Sequence, residues 1–196
     1  MDEQKRTLLI AGAAAAAAAM LPASASPKKA GALPVLDPIP PLPKTPTPGK
    51  PGDFNFLAGE WRIRHLRLRG ANEWDAFEGE ATCWTILGGV GSVEELRIPA
   101  RDFSGMGLRL LDMEKKVWSD HWVNAKGGVI YTPGQTGSFE NGAGIFFSED
   151  ADNGVPIIAA GVWDKITPTS CRWRQAVTRD SGKTWEQSWI MDWKRA

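Results

Sequence analysis

From Trp61 to the C-terminus apolar and polar residues alternate in short runs, and the last of these runs is the clearest. Trp185, Gln187, Trp189, Met191 and Trp193 recur at every second position, with Glu186, Ser188, Asp192 and Lys194 between them. Successive side chains of a β-strand point to opposite faces, so this stretch predicts a half-buried strand with one indole-rich wall. The same reading groups Trp61, Ile63, His65 and Arg67 on one face. It also puts Glu94 with Val90, Leu96 and Ile98; Trp118 with Asp120 and Trp122; and Gln175 with Cys171, Trp173 and Val177. His121 goes with Val117, Ser119 and Val123 on the opposite face. Glycine, proline and asparagine punctuate the chain every ten to fifteen residues, and no segment shows a helical period. Strands are expected near 61–69, 74–86, 90–98, 107–112, 117–124, 128–131, 137–148, 156–166, 171–178 and 185–193. Consecutive hairpins of this number favour an all-β, antiparallel up-and-down barrel of about 8–10 strands, because closure removes exposed edges. A two-sheet sandwich is the alternative, and residues 53–58 are expected to form a short plug at one end.

The first 52 residues follow other rules. Lys5 and Arg6, an apolar run from Leu8 to Leu21, and Ala23, Ser24 and Ala25 are the parts of a secretory signal cleaved after Ala25. The run is shorter than the ~20 residues that cross a bilayer, so no stable membrane anchor is expected after cleavage, and the destination is periplasmic or secreted. The order Lys5, Arg6, Thr7, Leu8, Leu9 is a weakened form of a twin-arginine signal, and the general secretory route is the better match. Residues 26–52 hold nine of the fourteen prolines and read as a disordered or semi-rigid spacer. Residues 53–196 then form one domain.

Charge and cysteine content narrow the function. Residues 53–196 carry 17 Lys and Arg against 20 Asp and Glu, a net of −3, which gives no overall basic surface for nucleic acid. Cys83 and Cys171 are the only cysteines, too few for a multi-ligand zinc site; they either pair or stay as buried thiols. Glu149, Asp150 and Asp152 precede Asn153 and Gly154 but miss the spacing of a calcium loop, so no metal is called for. Arg62, Arg64, Arg67 and Arg69 face a strand with Glu73, Asp75, Glu78 and Glu80, and cross-strand pairing accounts for them. Thr178, Asp180, Gly182, Thr184 and Trp185 have the spacing of an Asp-box turn; a single copy makes a hairpin and not a propeller.

Ten tryptophans against one tyrosine suggest an aromatic-lined interior, which serves equally as a packed core or a ligand pocket. With the Trp-rich faces inward, the interior holds His65, Arg67, Glu94, Asp120, Gln175 and Gln187 among Trp118, Trp122, Trp163 and Trp173. Buried polar groups must find partners, water or a ligand. One reading is a self-satisfying network. The reading favoured for function is a site for a small apolar or aromatic molecule, with the polar groups fixing its orientation. A third makes His65 an acid/base partner of Glu94 or Asp120 in an enzyme. A haem ligated by histidine ranks last, since neither His65 nor His121 lies in the C-terminal strands, and no cofactor is expected.

Gly59, Glu60 and Trp61 at the start of the first strand resemble the Gly-x-Trp signature of lipocalin-like, or calycin, barrels. Over residues 53–196 the chain is similar to a bacterial family of unknown function with this barrel type. The similarity rests on Phe56-Leu-Ala-Gly-Glu-Trp61, Leu87-Gly-Gly-Val-Gly-Ser-Val-Glu-Glu95, Leu108-Arg-Leu-Leu-Asp112 with Trp118 and Trp122, and Asp180-Ser-Gly-Lys-Thr-Trp185 with Trp189. The resemblance implies that Trp61 closes the barrel floor near a basic residue of the last strand, Arg195 or Lys194. It implies no catalytic residue.

Overall fold

A computed structural model describes residues 34–43 and 47–196. The expected secretory signal lies outside the described residues. Ten antiparallel strands follow one another: β1 (Gly59–Gly70), β2 (Glu73–Ile86), β3 (Gly91–Ile98), β4 (Phe103–Asp112), β5 (Val117–Asn124), β6 (Gln135–Glu140), β7 (Ala143–Asp152), β8 (Val155–Asp164), β9 (Ser170–Thr178) and β10 (Glu186–Arg195). Each pairs with its neighbour in sequence, and β1 also pairs with β10, so the sheet closes into an up-and-down barrel without an edge. Hairpin chemistry sets the connections. Asn141–Gly142 and Asn153–Gly154 both have positive φ at the two turn positions, the geometry whose twist matches paired strands. The Thr178–Trp185 turn forms as expected, with Asp180 accepting from Thr184 N–H at 2.8 Å and from the Thr178 hydroxyl at 2.8 Å, and with Gly182 at φ +88°.

The end of the barrel where β1 begins is called the lower end. A 3₁₀ turn, Asn55–Leu57, plugs it, and Phe54 within the plug packs edge-on against Trp118 and Phe139 at ring distances of 5.0 and 4.9 Å. Trp61 donates to Leu57 O at 2.6 Å. Arg195 stacks 4.1 Å over the Trp61 ring, donates to Phe56 O at 2.9 Å and also donates to Ala58 O. Of the two basic residues expected near Trp61, Arg195 is thus the one that closes the floor. Gly59 has φ +121°, and a Cβ there would run into the Arg195 guanidinium, so glycine is required where that stack passes.

Three expectations need correction. Residues 128–131 are not a strand: they belong to the long connection from β5 to β6, with Val129, Ile130 and Tyr131 exposed. β5 and β6 pair through only Trp118–Asp120, which leaves this apolar run without a partner strand. Residues 137–148 form two strands, β6 and β7, because the Asn141–Gly142 turn reverses the chain between them.

The register of β10 slips between Gln187 and Trp189, so the single expected wall is split by a bulge at Ser188. Trp189, Met191 and Trp193 face inward as expected, whereas Gln187 pairs with Ala176 on the outer face and Trp185 packs with the outer cluster. Gln187 is therefore not an interior residue.

That outer cluster, Ile145, Ala160, Val162 and Ala176, is covered by residues 34–43, part of the stretch expected to be a disordered or semi-rigid spacer. Ile39 is 8% exposed on it. Arg174 donates to Asp37 O at 2.7 Å and to Pro38 O at 3.3 Å, and Gln187 donates to Asp37 O at 2.7 Å. Residues 34–43 therefore lie along β8, β9 and β10. The physical reason is that proline-rich backbone keeps its carbonyls free to accept, and two buried donors on the wall take them.

Candidate functional site

The barrel interior divides into three levels. In the lower level, Trp61, Trp118, Trp163 and Trp193 are each no more than 1% exposed. Trp118 donates to Asp53 at 3.1 Å, and Trp163 meets Phe56 and Trp193 at ring distances of 5.8 and 5.5 Å. Trp118 and Trp163, two of the residues expected to line a pocket, are thus core of the plugged end. Cys83 and Cys171 are buried free thiols. Burial pushes both thiols up, Cys171 to about 12, so neither offers a thiolate at neutral pH.

The middle level carries charge. Arg109 projects inward from β4 between Glu94 of β3 and Asp120 of β5, in a row that also holds Gly105 and Gly107. The row has room because Gly107 lacks a side chain: a Cβ there would sit 3.0 Å from the guanidinium. Arg109 donates through Nη2 to Glu94 at 2.5 Å, and its Nε lies 3.4 Å from Asp120, an ion pair short of hydrogen-bond geometry. The guanidinium also lies 5.3 Å from the Phe54 ring and 5.2 Å from Trp163. Its Nε and Nη1 have no hydrogen-bond partner among the described residues.

Burial disfavours the charge on Arg109, but Asp120 and Glu94 outweigh it and hold the guanidinium above its ordinary value. For Glu94 and Asp120 the balance reverses. Burial raises both carboxyls, and the attraction of Arg109 only partly offsets it. Glu94 is sealed from solvent while Asp120 is only half-buried, so the uncompensated charge of the two carboxylates is least favoured on Glu94.

At the upper level burial falls. Asp120, Trp122, Gln135, Trp173 and Gln175 all sit in inward-facing rows, yet each is only half-buried. Trp122 lies parallel to Phe103 at 6.3 Å, and Trp173 meets Trp189 edge-on at 6.2 Å. Gln135 donates to Ala159 O at 3.2 Å. Gln175 makes no side-chain hydrogen bond among the described residues. Arg67 lies 4.6 Å over Trp189, and burial lowers its guanidinium to about 10.

His65 belongs to the wall of this level and not to its space. It is fully buried, stacked on Phe77 at 4.7 Å, and its Nδ1 accepts from Trp189 Nε1 at 3.1 Å. Its Nε2 fills the place of the missing Gly79 side chain, 2.6 Å from where a Cβ would stand. Burial first, then the nearby Arg67, push the imidazole down to about 3, so it is neutral at physiological pH. Among the described residues no hydrogen bond or ion pair joins His65 to Glu94 or Asp120, whose partner is Arg109.

Arg109 and Gln135 are the interior residues that the sequence reading passed over. A usable signal existed: Gly105 and Gly107 alternate in the row that ends in Arg109 and Leu111, and small residues at period two mark a face where large neighbours need space.

No family model matches the chain, and no curated protein matches it. Among solved structures it is similar to a redesigned β-barrel at 10% identity, over 76% of this chain and 98% of that one, with a TM-score of 0.41. It is also similar to a protein of unknown function from the DUF3598 family of Nostoc punctiforme PCC 73102. That likeness has 13% identity and a TM-score of 0.41, and covers 79% of this chain and 53% of the other, so the match spans about half of the Nostoc protein.

Proposed function

We propose that the barrel binds one small, largely apolar or aromatic molecule in the upper half of its interior. The observation that carries this reading is the contrast in burial between two levels of one closed wall. The lower tryptophans are sealed, whereas Trp122, Trp173, Gln175 and Asp120 face inward and still meet solvent. The tryptophans offer flat contact area, and the Gln175 amide, which makes no side-chain hydrogen bond among the described residues, offers a polar anchor. Fluorescence titration with N-phenyl-1-naphthylamine, a neutral aromatic dye, tests the reading. Trp173→Ala and Trp122→Ala are each expected to weaken dye binding by on the order of tenfold, the equivalent of ~1.4 kcal/mol. Unchanged affinity in both variants would sink the proposal, and mass spectrometry of the purified protein identifies any natural occupant.

We further infer that the chain is exported, on the pattern of Lys5, Arg6, the apolar run and Ala23 to Ala25. Mature protein recovered from outside the cytoplasm should begin at Ser26 on N-terminal sequencing. A chain that keeps Met1 in the membrane fraction rules this out.

A further inference from the structure

On the outside of the barrel, over the lower parts of β1, β10 and β9, lies a hollow of about 590 Å³. Its lining is strongly cationic. Arg62 and Arg64 come from β1, Arg172 from β9, Lys194 and Arg195 from β10, and Lys165 from the turn before β9; Glu78 and Asp192 are the acids among them. The register places Arg62 directly opposite Lys194, and like charges so placed repel. The acid on the other side of Arg62 is Glu80, which is engaged at 3.0 Å by Arg97. Among the described residues Arg62, Arg64 and Lys194 form no ion pair.

One corner of the hollow shows how it treats an anion. The Asp37 carboxylate, delivered by the segment along the outer wall, sits 2.9 Å from Lys165 Nζ and 2.5 Å from Arg172 Nη1. Its hydrogen bonds to Lys165 and then Arg172 hold the carboxyl at about 2. Arg172 is itself anchored by Asp164 at 2.8 Å, so this corner is fixed in place before any ligand arrives.

We propose that this hollow is a binding site for a multiply charged oxyanion, a phosphate-bearing or polycarboxylate group, held by Arg62, Arg64 and Lys194. Arg172 and Lys165 are shared between it and Asp37. Guanidinium forks match the paired oxygens of phosphate and carboxylate, and an oxyanion between Arg62 and Lys194 turns their repulsion into attraction. Arg62, Arg64 and Lys194 alternate with the inward Trp61, Ile63 and Trp193 along β1 and β10, so their side chains leave the wall on its outer side.

Calorimetric titration of the full chain with inorganic tripolyphosphate at low ionic strength tests the site, with phosphatidylglycerol and phosphatidylcholine vesicles as parallel arms. Tripolyphosphate is expected to bind with a stoichiometry of one, and added salt should weaken it. The double variant Arg62→Gln with Lys194→Gln should bind at least about tenfold more weakly, with a thermal midpoint equal to or above that of the parent, since the removed charges repel each other. Asp37→Asn should bind more tightly than the parent, because it frees Arg172 and Lys165; a purely structural role for Asp37 predicts no gain. Binding of phosphatidylglycerol vesicles that the double variant abolishes supports the site and assigns the oxyanion to a lipid headgroup. Tripolyphosphate binding without vesicle binding supports it and assigns a soluble ligand. Failure of the parent to bind either probe, or equal binding by the double variant, overturns the proposal.

Discussion

Arg109→Met is expected to lower stability at pH 7 by about 3 to 5 kcal/mol, the usual cost of removing one partner from a buried ion pair. The methionine replaces much of the volume over Phe54 and Trp163, so most of the loss comes from stranding Glu94 and Asp120, both already raised by burial. Without the guanidinium the two carboxyls rise further. A carboxyl whose folded pKa lies above its unfolded value, about 4, binds a proton more readily in the folded state. Its stabilising contribution is full below that unfolded value and is lost as pH rises through the folded one. The deficit relative to the parent protein should therefore be smallest near pH 4 and grow toward neutrality. Urea midpoints at pH 4, 5.5 and 7 measure it. A deficit of equal size at all three would show that packing, and not charge, is what the arginine supplies.

Trp61→Ala is expected to cost about 3 to 5 kcal/mol as well, by a different route. The indole is 1% exposed and holds three things at once: the plug through Leu57 O, the Arg195 stack, and an edge-on contact with Trp193 at 5.9 Å. Deleting it leaves a cavity where the plug, β1 and β10 meet. Trp84 sits on the outer wall at 47% exposure, and Trp84→Ala should change stability by less than about 0.5 kcal/mol. Guanidinium melts of the two variants side by side check the contrast, and equal losses would mean that Trp61 is not the keystone of the floor.

Period-two patterning carried most of the fold. The inward rows of Trp61 to Arg67, of Glu94, of Trp118 to Trp122 and of Cys171 to Gln175 follow directly from alternation, since a closed barrel has one inside and each strand must choose a face. Alternation fails where backbone geometry, not side-chain chemistry, changes the count. The β10 bulge flips Gln187 and Trp185 without leaving any mark in the residue pattern. Depth along the barrel axis is equally hidden, because alternation says which face a residue takes and nothing about its level. Trp118 and Trp122 read alike in sequence, yet one is sealed beneath the charged layer and the other is half-buried above it. His65 shows the same limit: its inward direction was legible, while its role as a neutral wedge against Gly79 depends on a missing Cβ one strand away. Arg109 was hidden by its neighbours, since Leu108, Leu110 and Leu111 make the stretch read as an ordinary apolar strand.

The segment along β8 to β10 extends the packed body of the described residues beyond its strands. Judged by strands, the barrel starts at Gly59. Judged by satisfied donors, the packing reaches back to Asp37, because Arg174 is 1% exposed and spends its Nη1 on Asp37 O and Pro38 O as well as on Gln187. Proline here acts as fixed length and not as slack: a clasp that cannot contract lays its carbonyls and Ile39 against the wall in one register. The missing N–H groups that keep such a sequence out of a sheet leave its carbonyls to serve as an outer splint.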